Sequence, residues 1–236
     1  GPFKIGTTLC AWTDKSRSTY FSNNKQDGRE LLTQIWYPSE IINSTILNVQ
    51  PYASDVIDLW KLGLKNSGYP EDNFVQLDSI KAYSLLNSPI LKQQKPYPVI
   101  IFSHGYAALR SAYTAYYENL ASHGYIVIGV AHTYYAMFTK FPDGRIIPAD
   151  PMNSEQLNLI EDKDSEAHQN IWFQDIQFIL DKLSFLNNKT DSLFYQNLNL
   201  EMIGVVGHSF GGSTSIQLGR NEKRIKACVN LDGALF

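Results

Sequence analysis

The sequence has no block or stripe of basic residues: 20 Lys and Arg are scattered among 23 Asp and Glu, for a net charge of −3. Without such a stripe a chain has no electrostatic grip on a sugar–phosphate backbone, so nucleic acid is not an expected partner. Only two cysteines occur, Cys10 and Cys228. Their separation matches neither a redox pair nor a zinc-ligand spacing, and Cys228, inside an apolar run, is expected as a small buried hydrophobe. No apolar run approaches the roughly 20 residues of a transmembrane helix. HExxH, EF-hand and Gly-rich phosphate-loop patterns are all missing, so neither a metal nor a nucleotide cofactor is expected. The sequence opens on Gly1-Pro2 rather than on Met and a signal peptide, as a mature or trimmed form would. Asn43-Ser44-Thr45 and Asn188-Lys189-Thr190 match the glycosylation acceptor pattern, a triplet frequent by chance. The compartment stays open, with a secreted or periplasmic one first among the choices.

What is present is a core and a motif. With 44% hydrophobic residues, the 236 positions can fill one sizeable core, and residues 1–236 are read as a single α/β domain. The motif is Gly207-His208-Ser209-Phe210-Gly211, preceded by the apolar run Met202-Ile203-Gly204-Val205-Val206 and followed by a second glycine, Gly212. A strand that runs through Gly-x-Ser-x-Gly into a helix is a nucleophile elbow, which lifts a serine hydroxyl above the end of a sheet. Glycines are needed because side chains at 207 or 211 would collide with the neighbouring strand or helix. The helix start directs free N–H groups and its positive dipole end to where an oxyanion would form. The alternative is a tight turn with an incidental serine.

The rest of the chain is consistent with that elbow. A strand over residues 31–37 ends at Pro38, and Asp27-Gly28 signals a hairpin with Thr19-Tyr20-Phe21 as partner, a pair suited to the edge of a mixed sheet. Ser54 or Asp55 caps a helix over 54–65 with Val56, Leu59, Trp60 and Leu64 on one face. That face packs on the body of the protein or, alternatively, touches a lipid surface near the site mouth. The stretch to Pro98 reads as irregular connection. Continuous apolar runs at 99–102, 125–130, 202–206 and 225–231 read as buried parallel strands. Helices are expected up to about residue 122, along Trp172, Ile176, Ile179, Leu183 and Leu186 at spacing 4, 3, 4, 3, and after the elbow. The pattern is a doubly wound, mostly parallel sheet, with residues 133–165 as an excursion over the site. Ser103 to Tyr106, His132, Ser209 and Asp232 all follow strand ends and so share the ligand-binding face. From spacing alone, Asp232 is either an acid that orients an imidazole or a turn residue ahead of Gly233.

Four stretches together resemble the platelet-activating factor acetylhydrolase family, the plasma-type, calcium-independent branch of the α/β-hydrolases. They are Tyr97-Pro98-Val99-Ile100-Ile101-Phe102-Ser103-His104-Gly105, Leu120-Ala121-Ser122-His123-Gly124-Tyr125-Ile126-Val127, Gly207 to Gly212, and Leu231-Asp232. Gly1-Pro2, Gly6 and Tyr37-Pro38-Ser39 are similar to that family's N-terminal region. The resemblance implies an α/β-hydrolase fold and a serine esterase or phospholipase A2 without cofactor, acting on short or oxidised acyl groups of phospholipids. It implies Ser209 as nucleophile, Asp232 as triad acid, and Tyr106 and Phe210 as oxyanion positions acting through their N–H groups. It also implies a catalytic histidine on a later strand, beyond Asp232. Of the five histidines, His208 points away from the hydroxyl, His104 belongs to the oxyanion turn, His123 closes a helix and His168 opens one. His132, at a strand end, is the one with a route to the site. The expectation is therefore a hydrolase truncated before its last strands, without the catalytic histidine. A general carboxylesterase or polyester hydrolase, and a non-catalytic module that binds lipid or a partner, are the other functions considered.

Overall fold

Alternation along the strands settles which layers form. In the computed structural model, which describes residues 1–18, 28–40, 49–51, 56–66, 68–70, 72, 74–149 and 162–235, Leu31, Ile35 and Tyr37 face one side of a sheet while Leu32 and Trp36 face the other. The same division separates Val99 and Ile101 from Phe102, and Ile126 and Ile128 from Val127. Both faces are apolar, so both must be covered.

The strands are β1 (Lys4–Ser18), β2 (Gly28–Ser39), β3 (Val49–Pro51), β4 (Lys81–Leu86), β5 (Tyr97–Ser103), β6 (Ile126–Ala131), β7 (Phe138–Lys140), β8 (Ile146–Pro148), β9 (Leu198–His208) and β10 (Ile225–Leu231). Eight form one sheet in the order β10-β9-β5-β6-β2-β1-β4-β3, and β7 and β8 make a separate hairpin. From β10 to β6 all neighbours are parallel. β2 then runs antiparallel to β6 and β1 antiparallel to β2. Four α-helices are described: α1 (Ile57–Asn66), α2 (Thr114–Ser122), α3 (Asp162–Asn188) and α4 (Phe210–Asn221). Tyr117 and Ala121 of α2 pack on one face of the sheet. Ile176, Ile179, Leu180 and Leu183 of α3, with Leu218 of α4, pack on the other. Each such fully buried aliphatic contributes about 1.5–3 kcal/mol, an upper bound because unfolded chains are partly compact.

Several expectations are corrected. The antiparallel partner of β2 is β1, which pairs with it in register from Lys4↔Ser39 to Asp14↔Arg29 and, after a register shift, at Ser18↔Gly28; residues 19–27 lie outside the described ones. Nor is that pair at an edge, since β6 flanks β2 and β4 flanks β1. Pro38 does not end its strand; it pairs with Ile5 and the strand continues to Ser39, opposite Lys4. The supposed irregular connection before Pro98 contains a 3-10 turn at Val75–Ser79 and the sheet strand β4. A 3-10 turn, Arg110–Tyr113, precedes α2, and α3 starts at Asp162, which puts His168 inside it rather than at its opening. Trp60 packs part-buried with Phe138 against Val56 and Leu109, so the α1 face meets the body of the protein. The caps Ser54 and Asp55 lie outside the described residues. Cys228 is exposed rather than buried, because β10 is the outermost strand among the described residues.

Candidate active site

The elbow forms because glycine allows two backbones to touch. A β-carbon at Gly207 would overlap the Gly211 carbonyl, and one at Gly211 would overlap the carbonyls of Ser103 and His104. Ser209 sits between β9 and α4 at φ 52° and ψ −121°, a left-handed conformation that costs a non-glycine residue on the order of 1–3 kcal/mol. Surrounding contacts hold it there. Its N–H donates to the Leu231 carbonyl at 2.8 Å, and its own carbonyl accepts from Gly212 and Ser213 at 2.8 and 3.1 Å. Phe210 opens α4, so its N–H has no carbonyl four residues back to bond. Across the elbow lies the turn after β5. A β-carbon on Gly105 would stand 3.3 Å from Ser209 Cβ and 2.9 Å from His208 Nδ1, so Tyr106 follows directly at the serine. The rings of Tyr106 and Phe210 meet edge to face with centroids 6.1 Å apart. At the end of β10, a β-carbon on Gly233 would overlap the Ser209 carbonyl, which brings Asp232 beside the elbow. Asp232 is exposed, at φ 59°. The turn there is closed by Asn230, whose Oδ1 accepts the Gly233 N–H at 2.7 Å and whose Nδ2 donates to the Gly233 carbonyl at 2.9 Å. Among the described residues the Asp232 carboxylate makes no hydrogen bond or ion pair.

All five histidines are engaged away from the Ser209 hydroxyl. His208 Nδ1 meets the Tyr113 hydroxyl at 2.9 Å, and that hydroxyl also accepts the Gly105 N–H at 3.3 Å. His123 Nδ1 bonds the Asn119 carbonyl and His168 Nδ1 the Tyr135 hydroxyl. His104 Nε2 accepts the His132 backbone N–H at 3.1 Å, so Nδ1 carries the proton and donates to the Gly105 carbonyl at 2.6 Å. Burial, with His132 beside it, pushes His104 down to about 3. His132, the histidine expected to have a route to the serine, does not reach it. Its Nδ1 donates to Asp175 Oδ2 at 2.9 Å and its Nε2 faces Ser103 Oγ at 2.9 Å. Burial lowers the His132 pKa against the pull of Asp175. Asp175 is fully buried, and burial alone pushes its carboxyl pKa up. The Arg29 guanidinium, at 2.8 and 3.1 Å, and the His132 bond outweigh that and hold the carboxyl well below its usual range. Arg17 Nη1 adds a contact at 2.9 Å.

Residues 1–236 match the family described as platelet-activating factor acetylhydrolase, isoform II. The chain belongs to that family. It is 28% identical to the platelet-activating factor acetylhydrolase of Cavia porcellus, over all of this chain and 55% of the relative. It is 24% identical to a probable 1-alkyl-2-acetylglycerophosphocholine esterase of Arthroderma benhamiae, over all of this chain and 58% of that one. The chain thus spans about half the length of the curated relatives it matches. A solved ferulic acid esterase from Streptomyces cinnamoneus superposes with a TM-score of 0.76 at 28% identity, over all of this chain and 61% of its own. The fold is an α/β-hydrolase fold.

In this acetylhydrolase-family chain, the sequence motifs locate Ser209, Phe210, Tyr106 and Asp232, and the structure gathers them at the carboxyl ends of β5, β9 and β10. Asn230, Tyr113, Asp175 and Arg29 are absent from the sequence reading. Asp175 had a signal: it lies between Trp172 and Ile176 on the buried stripe of α3, where a carboxylate needs a partner. Arg29, two residues beyond Asp27, gave none.

Proposed function

We propose that this chain carries the nucleophilic part of a serine esterase that removes acetyl and other short or oxidised acyl groups from phospholipid-like esters. One observation carries it: Ser209 is held at a strained φ of 52° between two glycine contacts, at the N-terminus of α4. In this reading Ser209 Oγ attacks the acyl carbon and gives its proton to an imidazole oriented by Asp232. The carbonyl oxygen, now negative, is met by the N–H groups of Phe210 and Tyr106, each worth about 3 kcal/mol in the transition state. The imidazole then protonates the departing alcohol, and water cleaves the acyl-serine by the same steps reversed. None of the five histidines in residues 1–236 supplies that imidazole. No step draws on a metal or cofactor, so turnover should survive a chelator. The rings of Tyr106, Phe210, Tyr135 and Trp172 cluster beside the serine and would limit acyl depth. Peripheral contact with a lipid surface is part of the proposal, through exposed Leu62 of α1 and exposed Met137 and Ile146 near β7 and β8. No described helix is long and apolar enough to cross a membrane.

A second reading, a broader carboxylesterase, is favoured by the ferulic acid esterase likeness at the same identity as the acetylhydrolase relative. In the full-length protein, Ser209→Ala should lower ester turnover by about 10⁶-fold and abolish labelling by a serine-directed phosphonate. An alanine variant retaining a tenth of the activity sinks both readings. Rates on a phospholipid acyl series from acetyl to palmitoyl decide between them: a fall with length supports the first, and no turnover of any phospholipid leaves the second.

A further inference from the structure

Ser103, His132 and Asp175 repeat the bonding order of a hydrolytic triad, hydroxyl to Nε2 and Nδ1 to carboxylate, both at 2.9 Å. They are 2%, 0% and 0% exposed, so no substrate reaches this hydroxyl and the set is not a second catalytic centre. Its position gives it other work. Ser103 ends β5, His104 follows, and the next two residues are the turn that bears the Tyr106 N–H.

We propose that the buried Asp175–His132 pair positions the oxyanion turn Gly105–Tyr106 against Ser209. The proposal rests on the esterase reading above, and the geometry connects the two ends in three steps. An ionised carboxylate only accepts, so Asp175 fixes the His132 proton on Nδ1 and leaves Nε2 free to accept the Ser103 O–H. The His132 backbone N–H fixes the His104 ring, and that ring holds the Gly105 carbonyl. From the elbow side, Tyr113 takes the Gly105 N–H and bonds His208. The turn is therefore gripped at the Gly105 carbonyl through the His104 ring, fixed by His132 just after β6. At the Gly105 N–H it is gripped by Tyr113 of the 3-10 turn before α2, which His208 of the elbow contacts. Trp172 completes the unit. It stacks on His132 at 3.8 Å and 14°, and its edge meets Phe210, bearer of the other expected donor, at 5.0 Å. Groups facing His132 are Asp175 of α3, Arg29 of β2, Arg17 of β1 and His104 after β5; the two arginines keep Asp175 an anion. His132 and Asp175 are positioning residues, since neither touches the reacting atoms.

The test uses His132→Asn, which keeps a donor near Asp175 and drops the acceptor for Ser103, and Ser103→Ala, which removes only the hydroxyl. In full-length protein, both should speed amide exchange at residues 105–107 by about tenfold. On p-nitrophenyl acetate both should lower kcat by about tenfold or more with KM within about twofold, as misplacement of a transition-state donor does. Ser103→Ala is the variant to rely on if His132→Asn fails to fold. Unchanged exchange in a folded variant overturns the proposal, as does an unchanged kcat where exchange has risen. If the parent protein shows no Ser209-dependent turnover, the esterase reading fails by itself, and exchange at 105–107 still decides whether the pair holds the turn.

Discussion

Gly105 has room for a hydrogen and nothing larger. In Gly105→Ala the added carbon would face His208 Nδ1 at 2.9 Å and Ser209 Cβ at 3.3 Å, so the turn or the elbow must shift. Such overpacking costs about 1–3 kcal/mol, while a displacement of the donor near 1 Å costs about 10² in rate. Activity should therefore suffer more than stability: kcat falls about 10²-fold with a shift of only a few degrees in Tm. A kcat within about threefold of the parent would place the oxyanion donors elsewhere. Asp232 gives the reverse test. Its carboxylate is exposed and unbonded among the described residues, so Asp232→Asn should alter stability by no more than about 0.5 kcal/mol. Turnover should fall about 10⁴-fold if it orients the imidazole. Spacing could not separate an acid from a turn former at 232, because both follow a strand and precede Gly233. The side chain of Asn230, three residues earlier than Gly233, takes the turn-closing bonds and leaves Asp232 available.

The element whose placement the sequence hid is β4. Lys81 and Tyr83 are exposed and Ala82 and Ser84 buried, an alternation with too little apolar content to stand out. Its position comes from a distant residue. Glu118 of α2, buried to 6% exposure, accepts the N–H groups of Tyr83 and Ser84 on one oxygen, both at 2.8 Å. Glu118→Ala leaves those two donors unmatched and should cost about 1–3 kcal/mol for each that stays dry. A lower urea midpoint with faster exchange at amides 83 and 84 is the expected result; an unchanged midpoint would mean water replaces the carboxylate. α3 was readable for the opposite reason. Its buried stripe repeats within the helix itself, so Trp172, Ile176, Ile179 and Leu183 identify it without knowledge of what they meet. Long-range pairing leaves no such local trace.

For the molecule as a whole, the buried charges set the response to acid. His104 and His132 are held neutral inside, whereas in the unfolded chain each titrates near its ordinary 6.5. Their folded values are lowered, so below pH 6.5 the unfolded state binds more protons and stability falls with pH, by up to about 1.4 kcal/mol per pH unit for each histidine. For His104 the loss continues down to about pH 3. Asp175, lowered as well, contributes stability that is present above the ordinary carboxylate range and is lost as pH falls through its folded value. Urea midpoints at pH 7.5, 6 and 5 should thus fall progressively in the parent and more weakly in His104→Gln; a flat parent profile would contradict the burial of both rings. The sheet order also has a kinetic consequence. β1 and β2 are near neighbours in sequence and can zip as a ribbon on their own, but Leu32 must then find Ala131, 99 positions on (131 − 32), before the parallel half has an anchor. Closing so wide a loop precedes any gain from the contacts it makes, which slows folding. Trimming a side chain on the β2–β6 seam, as in Ile35→Val, should consequently slow refolding. A trim on β10, the outermost described strand, as in Ile225→Val, should instead hasten unfolding, and stopped-flow chevrons of the two would display the contrast.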